Sequence, residues 1–168
     1  ADAGHAKWCS RERQHQALLY LFLANKEILE GKAARANLLA FHSSQTKRVC
    51  RSTLAAEASH LSEAVEAGDW LAVLLDEALH GEQDLKRWDR IVEQRKRVYV
   101  TDSQSVFDYL HKDSTSTSSD KRMAIEGALL RETVRRPHAE VRWIDGEQNL
   151  ADILTKPRVD KGLLMEFM

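Results

Sequence analysis

The feature that most restricts this chain is a single apolar stripe. Leu54, Ala58, Leu61, Val65, Gly68, Ala72, Leu75 and Leu79 recur at alternating steps of four and three. Such spacing keeps every member on one face of an α-helix, so it predicts a long amphipathic helix from about Leu54 to His80. Ser52 or Thr53 can accept amide hydrogens of the first turn, and Gly81 stands where a left-handed C-terminal cap is expected. Trp70 falls opposite the stripe, where packing or contact with a partner is expected.

The flanking segments supply the layer that such a stripe must cover. Gln16–Ala24 (QALLYLFLA) is short, apolar and followed by the polar Asn25-Lys26-Glu27, which predicts a buried strand and a turn. Asn37–Ser43, after the break at Gly31, is its expected hairpin partner. Downstream, the charged stretch Asp84–Arg95 reads as an exposed helix or loop, and Val98–Thr101 as a strand ending at Asp102. Ser105–His111 reads as a short helix and the Ser/Thr-rich Asp113–Ser119 as a loop. Met123, Gly127, Leu130 and Val134 mark one face of a further helix, stopped by Pro137. Ala139–Ile144 alternates, with Val141 and Trp143 on the core side; a turn at Asp145-Gly146 and a brief helix over Leu150–Thr155 follow. The expectation is one mixed α/β domain, a sheet covered by helices, with no internal repeat.

Composition narrows the classes of function. With 168 residues, 43% hydrophobic and 30% charged, one core suffices without disulfides or a structural metal. Cys9 and Cys50 are too few for a disulfide framework, and the first residues lack an apolar signal core, so an intracellular, reducing compartment is expected. The longest apolar run, Ala17–Ala24, is less than half of the ~20 residues a bilayer span needs, so no membrane partner is expected. A net charge of −1 argues against gripping nucleic acid by bulk electrostatics. The charge is segregated, however. Residues 52–83 hold seven acids and neither Lys nor Arg, whereas residues 84–97 hold six basic side chains against three acids. Residues 1–51, with nine basic side chains against four acids, and the acidic residues 52–83 are expected to face different partners.

Four acids occupy positions that invite chemistry: Asp2, Glu57, Asp102 and Asp152. Each also has a plain structural role. Glu57 borders the apolar stripe, where a first-turn acid complements the helix dipole. Asp102 precedes a helix and would serve as its N-cap. Asp152 reads as solvated, and Asp2 alone carries no signal.

The residues around these acids resemble the ribonuclease H domain at the end of a copia-type retrotransposon Pol polyprotein. RSTLAAEASHLSEA (Arg51–Ala64) is similar to that family's Ser-Ser/Thr-x-x-Ala-Glu helix start, and VYVTDSQS (Val98–Ser105) to its strand ending in Asp-x-Gln-Ser. NLADILTKP (Asn149–Pro157) is similar to its closing Ala-Asp-x-x-Thr-Lys-Pro. DKRMAIEGALLRE (Asp120–Glu132) resembles the helix between the last two, so the likeness covers nearly the whole chain.

The resemblance implies a ribonuclease H-like mixed sheet of five strands flanked by helices, and endonucleolytic hydrolysis of the RNA strand of RNA/DNA hybrids during reverse transcription. It implies two Mg2+ ions, or Mn2+ in their place, held by Asp2, Glu57, Asp102 and Asp152. Hard cations prefer oxygen ligands, and a pair about 4 Å apart stabilises both the attacking and leaving oxygens of a phosphodiester. Lys47, Arg48, Arg51, Lys121, Arg122 and Lys156 become the candidates for phosphate contact. An upstream reverse transcriptase domain of the same polyprotein and a cytoplasmic virus-like particle are the implied partner and setting. In that family the first acid sits in a central strand, yet only Ala1 precedes Asp2 here. A single N-terminally truncated domain over residues 1–168 is therefore expected, with 84–97 as a charged insert. The rival readings are a catalytically silent nucleic-acid-binding or spacer module of a decayed element, and a small zinc site at His5, Cys9 and His15 that lacks an evident fourth ligand.

Overall fold

The structure, a computed structural model, describes residues 16–45, 50, 52–82, 84–112 and 121–149. Contacts divide the chain into two compact units, residues 1–53 with 144–168, and residues 54–143. The architecture is mixed α/β, with four α-helices and two two-stranded sheets among the described residues. None of the described helices is long and apolar enough to cross a membrane.

In the first unit, β1 (Gln16–Ala24) pairs antiparallel with β2 (Ala36–Gln45). The register shifts between Leu21 and Phe22, so that Leu21 faces Ala40 and Phe22 faces Leu38. A 3₁₀ turn over Lys26–Glu30 joins them and closes on Gly31, whose φ of 70° is open to glycine and strained for other residues. The expected hairpin is present, but the expected burial is not. Phe22, Leu38 and Phe41 are exposed, and no described side chain of this unit is buried. Two strands provide one layer, and an apolar face is buried only against a second.

The second unit supplies two layers. Helix α1 (Thr53–His80) lies on a parallel pair, β3 (Arg97–Thr101) and β4 (Ala139–Trp143), which align from Arg97 opposite Ala139 to Thr101 opposite Trp143. Parallel strands need a long crossover. Here it runs through α3 (Gln104–His111) and α4 (Lys121–Arg135). Ala55, Ala58, Leu61 and Val65 of the α1 stripe pack with Tyr99, Val106, Leu110, Met123, Leu130 and Val141 in one core. Small residues set the spacing. A Cβ on Gly68 would lie 3.0 Å from Tyr99 Cε1, and one on Gly127 would run into the Tyr109 ring. Arg131 holds α3 to α4, donating from Nε (3.2 Å) and Nη2 (2.8 Å) to the Tyr109 carbonyl while stacking over that residue's ring. Gly81 caps α1 as expected, with φ of 83° and its N–H donating to the Glu77 carbonyl at 2.8 Å.

Two expectations change in this unit. The charged stretch after α1 is not simply exposed: α2 (Trp88–Gln94) buries Ile91 and Val92 against Ala72 and Val73. Trp143 is not in the core but 42% exposed at the end of β4, while Val141 takes the buried position. A strand end has fewer neighbours to cover a large ring, and the indole N–H instead donates to the Asp102 carbonyl at 3.0 Å.

Candidate active site

The antiparallel placement of α1 on β3 decides which residues share an end of the second unit. Asp76 reaches Arg95, Asp69 reaches Arg97, and Gly68 meets Tyr99, so residue numbers fall along the helix as they rise along the strand. Continued, this order brings the N-terminal turns of α1, with Glu57, to the carboxyl end of β3, with Asp102. Helix α4 also runs against the sheet, because its C-terminus feeds β4 and the Arg97 N–H donates to the His138 carbonyl at 2.8 Å. Its N-terminal Lys121 and Arg122, both exposed, therefore lie at that same end. Carboxyl ends of strands are where open α/β sheets hold ligands.

Glu57 is half-buried between Ala56 and Ala58, which are fully buried. It is the fifth residue of α1, and the first turn holds no acid, so a first-turn dipole role does not account for it. Asp102 is half-buried and follows β3 directly. The N-cap of α3 is Ser103, not Asp102, which removes the ordinary structural reason for an acid there. Ser103 is positioned by a bond from its N–H to Thr101 Oγ1 (3.2 Å), and its carbonyl accepts from the Phe107 N–H (3.1 Å). Among the described residues no hydrogen-bond partner of the Asp102 carboxylate is present, while its carbonyl accepts from the Trp143 indole N–H.

Asp2 and Asp152 lie outside the described residues, as do Lys47, Arg48, Arg51 and Lys156 and the zinc candidates His5, Cys9 and His15. Among the described residues no three His, Cys, Asp or Glu side chains gather to hold a metal ion. Glu57 and Asp102 form the described half of the expected set, and their all-oxygen donors are of the kind that hard divalent cations take.

The ion pairs between α1 and the segment after it were not read from the sequence. Arg95 Nη2 donates to Asp76 Oδ1 at 2.6 Å, and Arg97 Nη1 donates to Asp69 Oδ1, which also accepts from the Tyr99 hydroxyl at 3.3 Å. Burial, more than any neighbouring charge, pushes the Tyr99 phenol well above its usual range. The Arg95 hydrogen bond holds the Asp76 carboxyl below the usual carboxylate range, with His80 adding to the effect. The sequence showed acids gathered in 52–83 and a basic cluster in 86–97, and the structure joins the two through Asp76–Arg95 and Asp69–Arg97.

Comparison with known proteins places this geometry in context. Over 137 residues the chain is 26% identical to the Ty1-DR5, Ty1-H and Ty1-NL2 Gag-Pol polyproteins of Saccharomyces cerevisiae, a match covering 82% of this chain. The chain is similar to Ty1 Gag-Pol polyproteins. These are polyproteins of a copia-type retrotransposon, and the chain spans only 6–7% of their length. No protein-family profile matches the chain, and no solved structure matches it significantly.

Proposed function

We propose that this chain is the ribonuclease H segment of a retrotransposon Gag-Pol polyprotein and hydrolyses the RNA strand of RNA/DNA hybrids. The observation that carries the reading is the similarity to Gag-Pol polyproteins over 82% of the chain, and Glu57 and Asp102 at one end of the layered unit agree with it. Under this reading Asp2, Glu57, Asp102 and Asp152 hold two Mg2+ ions, which when bound activate water and stabilise the leaving oxygen. Among the described groups, Glu57 and Asp102 supply anionic oxygens on a helix and a strand end, elements rigid enough to fix a ligand. Lys121 and Arg122 offer cations to the phosphate backbone, which orient a duplex without reading its sequence. Lys47, Arg48, Arg51 and Lys156 are proposed for the same role. The proposed setting is a cytoplasmic virus-like particle, with a reverse transcriptase domain upstream in the same polypeptide.

The test is cleavage of an end-labelled RNA/DNA hybrid in magnesium by the chain and by Asp102→Asn, with magnesium binding followed by calorimetry. The reading expects cleavage that falls on the order of a thousandfold in the variant, together with weaker magnesium binding. Equal cleavage by both proteins would remove Asp102 from the chemistry. Hybrid binding without cleavage by a folded chain would establish the silent nucleic-acid-binding module instead.

A further inference from the structure

Thr101 opposite Trp143 is the last rung of the parallel alignment, so Asp102 is the first residue beyond the ladder. A residue there lacks the strand bonds that fix a backbone, and its side chain keeps one direction only if other contacts hold the main chain. Two contacts do so. The Trp143 indole N–H donates to the Asp102 carbonyl at 3.0 Å, and the Ser103 N–H donates to Thr101 Oγ1 at 3.2 Å. That carbonyl and that N–H belong to one peptide unit, which is planar. The plane is thus held on both edges, β3 holds the chain before it, and the Cα–Cβ bond of Asp102 has little freedom between them. Burial does not account for the indole: Trp143 is 42% exposed, and Val141 takes the buried place on β4. What a tryptophan adds at a half-open strand end is its N–H, which here ties together residues 41 apart in sequence.

We infer that Trp143 is a positioning residue for Asp102. Its N–H pins the peptide unit that follows Asp102, so that the carboxylate is presented in one direction at the end of the unit where Glu57 also lies. Thr101 Oγ1 secures the opposite edge of the same plane. This role rests on the reading of Asp102 as one of the acids that hold magnesium, and it adds a residue beyond the four acids. Groups that hold a ligand have to be fixed to within about 0.5 Å. Partners that orient such groups from behind are typically worth about 10–100-fold in metal affinity or activity.

Magnesium binding by calorimetry and steady-state cleavage of an RNA/DNA hybrid, both on the 168-residue chain, test this with Trp143→Phe, Thr101→Val and Asp102→Asn. Trp143→Phe keeps an aromatic ring and removes the N–H, whereas Thr101→Val keeps the branched shape and removes the acceptor. For Trp143→Phe the expected result is magnesium affinity and kcat each lower by about tenfold or more, with the KM for the hybrid and the urea midpoint close to wild type. Thr101→Val is expected to shift magnesium affinity and kcat in the same direction by a smaller factor. Trp143→Phe that binds magnesium and cleaves like wild type, beside Asp102→Asn that does neither, would overturn the inference and leave the reading of Asp102 in place. Wild-type and Asp102→Asn proteins that do not differ in either measurement would remove that reading and the inference with it. A raised KM at unchanged magnesium affinity would make Trp143 a ring that stacks on the substrate, which also overturns the inference. So would a lowered urea midpoint for Trp143→Phe beside a Thr101→Val that matches wild type, because Trp143 would then act through stability alone.

Discussion

Leu38 in β2 is 48% exposed and Leu130 in α4 is 2% exposed, and these two leucines separate the hairpin from the layered unit. Both belong to regular elements with the expected hydrophobic residues. The hairpin aligns its backbone over nine residue pairs yet buries no described side chain, whereas the layered unit aligns only five pairs and encloses a core. Backbone pairing and side-chain burial are thus separate achievements. Strand hydrogen bonds largely replace bonds to water, so most net stabilisation comes from the area a second layer removes from solvent.

The sharpest way to test that contrast is through charge. Asp69→Ala would leave Arg97, whose side chain is 8% exposed, facing no anion, and should cost about 3–5 kcal/mol in urea denaturation. The hairpin's Lys32–Glu30 pair is exposed on both sides, and Glu30→Ala should cost less than about 1 kcal/mol. Next come the leucines themselves. Leu130→Ala should cost about 2–5 kcal/mol, while Leu38→Ala should change stability by no more than about 0.5 kcal/mol. Equal costs at both positions would show that the hairpin's apolar face is covered in solution, and the contrast would fail.

The smallest effect concerns pH. Asp76 has a folded-state pKa below its unfolded value, chiefly through the Arg95 hydrogen bond. Its contribution is therefore full above the ordinary carboxylate range and is lost as pH falls through the depressed folded value. The difference in urea midpoint between wild type and Asp76→Asn should hold from neutrality to about pH 5 and shrink below it. A difference that persists in strong acid would show that packing, not ionisation, makes Asp76 matter.

The local elements were legible because each rests on short-range signals. The α1 stripe, the cap at Gly81 and the strand ending at Asp102 all follow from spacing within one element, and each appears in the structure. What escaped detection depends on partners far along the chain. Ile91 and Val92 look like minor interruptions of a charged run until Ala72 and Val73 cover them. Asp69 and Arg97 are ordinary charges until the strand turns back onto the helix. Trp143 alternates correctly with its neighbours, but periodicity cannot tell the middle of a strand from its end. At the candidate site, the position of Asp102 after β3 was visible, whereas its release from N-capping depended on Ser103 taking that role.

The parallel alignment of β3 with β4 also has a consequence in time. The hairpin closes over a short turn and needs only microseconds to form. Tyr99 cannot lie beside Val141 until the whole crossover from Thr101 to Ala139 has closed, with α3 and α4 inside it. During synthesis α1 therefore leaves the ribosome before β4 exists. Elements before β4 can cover parts of its stripe, but the core is complete only when Val141 on the last strand joins it.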